Sequence, residues 1–258
     1  MANCKAISIA CGLIVVLGLS ACRSVDRGSF GSFMRSNSTT SHGYAVIEDP
    51  TGSAPTKLVE RFEVRPGDCG SGSTYNDCNN DRERSELSEE DKSRTLGTTN
   101  WYGWSLFVPE DHVNIYPTKV AFGQFHQKGA RPAWLFQNSS GGYHADGNLY
   151  GSNYKLVDEK DLRGKWHRIE VHAKWSKIDD GFFKVWVNGE QKVDFSGRTM
   201  TATAMYFKYG LYRSFISRYA VSNGYPYYAK TPMELPVQVV YFANVQRANS
   251  RVGLTAPE

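Results

Sequence analysis

Apolar and polar residues alternate with a period of two over much of the chain. Trp166, Arg168, Glu170, His172 and Lys174 interleave with His167, Ile169, Val171, Ala173 and Trp175, as expected of a strand with one face in a core and the other toward water. Runs rich in Val, Ile, Tyr, Phe and Trp recur at 57–64, 101–108, 119–126, 133–137, 166–175, 182–187, 191–195, 206–212 and 237–245, most of them bounded by turn residues. Asn188-Gly189 between two of these runs predicts a tight hairpin. Many strands with little helix predict an all-β sandwich. No internal repeat interrupts the pattern, and the mixed-charge run 88–94 reads as a solvated turn or short helix.

The first residues break the pattern. After Lys5 an apolar run extends to Ala21, too short for a comfortable membrane span but suited to the core of a signal peptide. Leu19-Ser20-Ala21-Cys22 has the form of a bacterial lipobox, which makes Cys22 the expected lipidated first residue of the mature protein. Arg23 after it is compatible with an outer-membrane, periplasm-facing lipoprotein. Residues 22–43 are rich in Ser, Gly, Asn and Thr without a period and read as a flexible tether, and 44–258 then holds one domain.

Charge and cysteines narrow the setting further. The 30 basic residues less Lys5, against 26 acidic ones, leave a net charge of +3. With no long basic run, nucleic acid is not an expected partner. Of the five cysteines, Cys4 and Cys11 lie in the leader and Cys22 takes lipid, so Cys69 and Cys78 remain as one pair. In an oxidising compartment they are expected to form a disulfide that pins the Gly/Ser/Asn-rich loop between them. No second Cys or His pair stands at zinc spacing, so no metal is predicted.

Three short strands carry the candidate chemistry. Alternation puts Tyr206, Lys208, Gly210 and Tyr212 on one face and Phe207, Tyr209 and Leu211 on the other; it likewise aligns Arg82, Arg84 and Glu86, and Gln124 with His126. Phenol, ammonium, guanidinium, amide and imidazole on such faces suit a groove for a large polar anion.

In order and spacing, Arg84-Ser85-Glu86-Leu87, Gln124-Phe125-His126 and Tyr206-Phe207-Lys208-Tyr209-Gly210-Leu211-Tyr212 resemble the signature strands of the alginate lyases of polysaccharide lyase family seven, and those of the glucuronan lyases and heparin lyase I. The resemblance spans roughly residues 60–248. It implies a concanavalin-like β-jelly roll whose concave face cuts a uronic-acid polysaccharide by β-elimination, glucuronan- or alginate-like ahead of heparin-like. It implies Tyr212 as the acid toward the leaving oxygen and as a candidate base, His126 as base or charge stabiliser, and Arg84 with Gln124 as the pair that grips the carboxylate and steadies the enediolate. Lys208, Arg82, Glu86 and Tyr206 are the expected substrate contacts, with Lys208 facing a neighbouring subsite.

Three departures stand out: Tyr209 where the family has a small residue, Arg213-Ser214 where it has Asn-Gln, and Phe125 in place of Ile or Val. No cofactor is predicted, a structural calcium is left open, and a monomer is expected. Among rivals, His144 in a Gly-rich stretch is the alternative to His126, and Tyr225, Tyr227 and Tyr228 offer a sugar-stacking wall or merely an aromatic turn about Pro226. His167 and His172 are expected on opposite faces and the tryptophans mostly in the core. Two other classes compete. A non-catalytic carbohydrate-binding lipoprotein of the same fold would need no proton-transfer residues, and a laminarinase-type hydrolase would need a Glu-x-Asp-x-x-Glu strand that 85–90 lacks.

Overall fold

A computed structural model describes residues 25–72, 75–225 and 235–254. The signal peptide and Cys22, together with Tyr227 and Tyr228, lie outside them. Two seven-stranded antiparallel sheets pack face to face. The front sheet is assembled from β1 (Phe33–Arg35), β4 (Arg82–Glu89), β13 (Met205–Ser214), β6 (Lys119–Gln127), β7 (Trp134–Ser139), β8 (Gly142–Gly147) and β9 (Ser152–Asp158), in that spatial order. The back sheet runs β12 (Glu190–Ser196), β11 (Phe182–Val187), β10 (Trp166–Lys174), β5 (Thr99–Phe107), β14 (Gln238–Ala248), β3 (Leu58–Val64), β2 (Tyr44–Glu48). The architecture is that of a β-jelly-roll sandwich.

Period-two alternation explains the layers. In β10 His167, Ile169, Val171 and Ala173 are buried while Trp166, Arg168, Glu170, His172 and Lys174 are not, so His167 and His172 do lie on opposite faces. Trp104, Trp134 and Trp175 are fully buried, and the core is largely aromatic: Trp134 stacks on Phe183 at 3.9 Å between centroids and Phe125 packs edge-on to Tyr102 at 4.8 Å. Asn188 and Gly189 take positive φ, 50° and 84°, in the expected β11–β12 hairpin.

Several expectations are corrected. Residues 88–94 form no helix: Ser88 and Glu89 continue β4, because the strand pairs with β1 and β13 over its whole length. The stretch read as a Gly-rich loop around His144 is β8, whose Tyr143 and Ala145 alternate into the core. From Val25 onward the supposed tether belongs to the sandwich. Phe30 is buried against Phe33, Tyr102 and Phe207, β1 extends the front sheet beyond β4, and Arg27 forms a two-pronged ion pair with Glu60. Apolar anchors at two positions, with a buried carboxylate as their ionic counterpart, dock a segment whose bulk composition is that of a linker.

Candidate active site

Strand pairing brings the three signature segments together. On β13, Tyr212 stands opposite Arg84 and Lys208 opposite Ser88 of β4, while Lys208 faces Gln124 and Tyr206 faces His126 of β6. A bulge in the β13–β6 register falls between Tyr209 and Tyr212, and there the sequence expectation for Gly210 fails. Gly210 takes φ +128°, and a Cβ on it would lie 2.7 Å from the Phe62 ring. It is turned toward the core to let the strand bulge, not left as bare backbone in the groove.

Beneath the outer surface lies a buried ionic floor. Glu86, only 1% exposed, accepts hydrogen bonds from Lys208 Nζ at 2.7 Å, Arg84 Nη1 at 2.9 Å and the Gln124 amide. Arg84 in turn donates Nε and Nη2 to the two carboxylate oxygens of Asp77, both at 2.6 Å. The bidentate grip expected of Arg84 on a substrate carboxylate is therefore made on Asp77, and three of the five guanidinium N–H groups are taken. Glu86, placed among the substrate contacts by the sequence, instead binds Lys208, Arg84 and Gln124 to one another. Lys208, expected to face a neighbouring subsite, folds back to Glu86 with its ammonium 6.0 Å from the Tyr212 ring centroid.

Electrostatics follow from this burial. Desolvation pushes the Glu86 carboxyl up, but Lys208 and Arg84 outweigh it and hold the group below its ordinary range. For Arg84 burial opposes the charge, and Glu86 with Asp77 more than restores it, so its pKa rises. Lys208 is shifted down, burial being the largest influence. Counting Arg82, three cations face the two carboxylates of Asp77 and Glu86, which leaves one positive charge unmatched.

Half-buried above the floor are the proton-transfer candidates. His126 Nδ1 lies 2.9 Å from the Gln127 backbone oxygen, which can only accept, so Nδ1 carries the proton and Nε2 keeps a free lone pair. The Tyr206 hydroxyl lies 3.1 Å from the same Nδ1, and its ring stacks at 5.2 Å on the imidazole. Burial, then the Lys208 charge, pushes the His126 pKa down to about 4, so the ring is neutral at pH 7 and is not the cation that helps a phenol ionise. The Tyr212 ring lies over Arg84, 4.2 Å from its guanidinium carbon, and its oxygen accepts a hydrogen bond from Arg82 Nε at 3.0 Å. That acceptance leaves the phenolic proton directed elsewhere. Burial raises the Tyr212 pKa against the opposing pull of Arg84 and Arg82, and burial with Glu86 takes Tyr206 up to about 12.

His126 and Tyr212 are not hydrogen-bond partners. Tyr212 pairs with Ala121, five residues from His126 on β6, a separation of roughly 16 Å along the strand for a rise of about 3.3 Å per residue. The two residues thus stand toward opposite ends of the Lys208–Glu86–Arg84 cluster.

Three of the four side chains that depart from the family pattern point away from this face. Phe125 is buried in the core, Tyr209 donates its hydroxyl to Glu60 at 2.9 Å, and Arg213, fully buried, pairs with Glu83 at 3.0 Å and donates to Gln238 Oε1 at 2.9 Å. Phe125, Tyr209 and Arg213 thus turn inward, whereas Ser214, two residues after Tyr212, stands opposite Arg82 at the end of the strand pair.

Asp77 is the functional residue that the sequence did not reveal. It lies in the loop closed by the Cys69–Cys78 disulfide, whose sulfurs are bonded as expected, and it is fully buried. The rival His144 is 6% exposed, bonded through Nδ1 to Asn153 at 2.8 Å on β9, on strands beyond β7 from the cluster. A separate cavity of about 570 Å³, lined by Asp26, Asp49 and Lys57 among others, contains none of the candidate residues. Among the described residues no group of three or more His, Cys, Asp or Glu side chains is placed to hold a metal.

Solved structures with the same fold include an endo-β-1,4-glucuronan lyase from the fungus Trichoderma reesei, 16% identical with a TM-score of 0.58 over 88% of this chain and 98% of that one. They also include an alginate lyase of polysaccharide lyase family 7, 16% identical with a TM-score of 0.53 over 81% and 82% of the two chains, and a cellulose-induced protein, 11% identical with a TM-score of 0.52 over 85% and 92%. No curated protein matches the chain. The family model for polysaccharide lyases matches residues 25–246, a span that includes the N-terminal segment docked through Phe30 and all three strands of the candidate site, and the chain belongs to the polysaccharide lyase family.

Proposed function

We propose that the protein cleaves a uronic-acid polysaccharide, glucuronan- or alginate-like, by β-elimination on the outer face of β4, β13 and β6. The observation that carries this reading is the pairing of a neutral, Nδ1-protonated His126 with a protonated Tyr212 at the two ends of a cluster that holds one unmatched positive charge. In β-elimination the proton on carbon 5 leaves, its electrons form the carbon 4–carbon 5 double bond, and the bond from carbon 4 to the glycosidic oxygen breaks. His126 Nε2 takes the carbon 5 proton. Tyr212 gives its phenolic proton to the departing oxygen and is held in the acid form by its raised pKa.

The negative charge that grows on the carboxylate meets Arg82, whose guanidinium has no carboxylate partner among the described residues, and the fixed field of Arg84 below Tyr212. Gln124 and Lys208 act from beneath by holding Glu86 and hence Arg84. A binding module of the same fold would need the cations but neither the free Nε2 nor the oriented phenol. The test is a panel of polyglucuronate, alginate and heparin chains followed by the ultraviolet absorbance of the unsaturated end, which the reading requires for at least one polyuronate.

The same reading places the enzyme at a bacterial membrane surface through acyl chains on Cys22, supported by the lipobox at 19–22. Cys22→Ala is expected to move the protein from the membrane fraction to the soluble one or block its processing. Mass spectrometry that finds an unacylated mature N-terminus would contradict the anchor.

A further inference from the structure

One end of the groove, beyond Tyr212, carries two guanidinium groups that meet no carboxylate among the described residues, and only Arg82 takes part in the proposed elimination. The Arg82 guanidinium carbon lies 4.0 Å from the Phe215 ring centroid, and that of Arg218 lies 4.2 Å from the same centroid. Arg218 stands on the short helix α2 (Ser217–Ser222) and is exposed. Neither guanidinium meets a carboxylate among the described residues: Arg82 donates to Tyr212 and to the Asp81 backbone, and the Phe215 ring is the side chain that Arg218 meets there. Arg84 and Lys208, in contrast, are both paired with carboxylates on the floor. Two like charges on one ring repel each other, and neither forms an ion pair among the described residues.

The arrangement is held in place against a backbone cost. Phe215 has φ +59° and Asp81 φ +60°, conformations that cost a non-glycine residue on the order of 1 kcal/mol or more. The two are locked together: Phe215 N donates to Asp81 O at 3.0 Å, the Asp81 carboxylate accepts from Ser217 N and Oγ at 2.9 and 2.7 Å, and Thr118 Oγ1 donates to Phe215 O at 3.0 Å. The left-handed turn directly after β13 leaves the Phe215 ring 36% exposed beside Arg82, although burial in a core would ordinarily be the more favourable place for it.

The geometry points to a second carboxylate subsite, built by Phe215 and Arg218 with Arg82 shared between it and the reacting uronate, that holds the uronate next to the one undergoing elimination. Cation–π contact with one ring fixes both guanidinium planes and reduces the rotamer freedom lost when an anion arrives. Because Arg82 also donates to the Tyr212 oxygen, an anion held here lies on the leaving-group side of the scissile bond. The inference deepens the lyase reading and rests on it for that assignment of side, but not for the presence of an anion site.

Calorimetric titration with a polyglucuronate oligosaccharide, in a Tyr212→Phe background that keeps the ligand intact, separates the two. Arg218→Ala is expected to weaken binding about tenfold, the scale of a lost charge-assisted hydrogen bond, and to raise KM similarly in the otherwise wild-type enzyme with kcat within twofold. The difference should vanish near 1 M salt, where screening acts within about 3 Å. Phe215→Gly, which accepts the positive φ without strain, should keep the melting temperature yet also weaken binding. Unchanged affinity in both variants overturns the subsite while leaving the lyase reading intact. If instead Arg218→Ala weakens binding and wild-type protein yields no unsaturated product from any polyuronate, the subsite stands and the lyase reading falls.

Discussion

Asp77 holds Arg84 through both carboxylate oxygens at 2.6 Å, and it does so from a ten-residue loop that the Cys69–Cys78 disulfide closes. Asp77 is further fixed by its own backbone, which donates to Gly70 O at 2.8 Å and accepts from Arg82 N at 3.1 Å. The disulfide therefore acts on the site through one carboxylate: it positions Asp77, Asp77 orients Arg84, and Arg84 lies under the Tyr212 ring.

Asp77→Asn should lower kcat by up to about a hundredfold, the effect of misplacing a catalytic group by about 1 Å, with the disulfide still formed. Reduction of the disulfide removes roughly 2.5 to 3 kcal/mol of loop-closure stabilisation and should lower turnover even at temperatures where the reduced protein stays folded. Full turnover in reduced, folded protein would break the proposed link from loop to Arg84.

The N-terminal segment is expected to contribute stability rather than reach. Phe30 is buried among Phe33, Tyr102 and Phe207, so Phe30→Ala should cost about 3 kcal/mol or more. Denaturant unfolding measures this directly, and a change under about 0.5 kcal/mol would mean that the segment is a loose tether after all.

Side-chain alternation is legible in the sequence, whereas tertiary pairing is not. Strands with strict alternation, such as β10, and the three polar faces on β4, β6 and β13 were legible because side-chain direction follows from a period of two. β8 was obscured by Gly142 and Gly147, which suggest a loop, although Tyr143 and Ala145 alternate as a strand requires. β1, β2 and β9 were missed, β1 because it spans only Phe33–Arg35 within a polar stretch. The grip of Asp77 on Arg84 and the fold-back of Lys208 onto Glu86 are tertiary pairings, and no local spacing encodes them. Nor does sequence reveal that Phe215 takes a positive φ, because the cost is offset by Asp81, Ser217 and Thr118 from elsewhere in the chain.

The pH profile should carry the signature of His126. Its pKa lies near 4 in the free protein, below the ordinary value of about 6.5, so the imidazole gains its proton, and loses its function as base, only as pH falls through about 4. kcat/KM, which reports the free enzyme, should stay flat from pH 8 down to about 5. On the alkaline side burial raises the Tyr212 pKa above that of an ordinary phenol, so the acid stays protonated through neutral and mildly alkaline pH. An acid limb centred near pH 6.5 would show that His126 is not buried as described or is not the base.

The central claim is elimination with Tyr212 as the acid, and the most direct measurement compares wild type with Tyr212→Phe and Tyr206→Phe on whichever polyuronate is cut. The Tyr212→Phe change removes one oxygen and keeps the ring over Arg84, so folding and KM should persist while kcat falls by about a hundredfold or more, the scale of a lost general acid. Tyr206→Phe should have the smaller effect, since Tyr206 orients His126 and gives up no proton. Wild-type product must carry the double bond between carbons 4 and 5; saturated ends, or a Tyr212→Phe variant with full activity, would contradict the account.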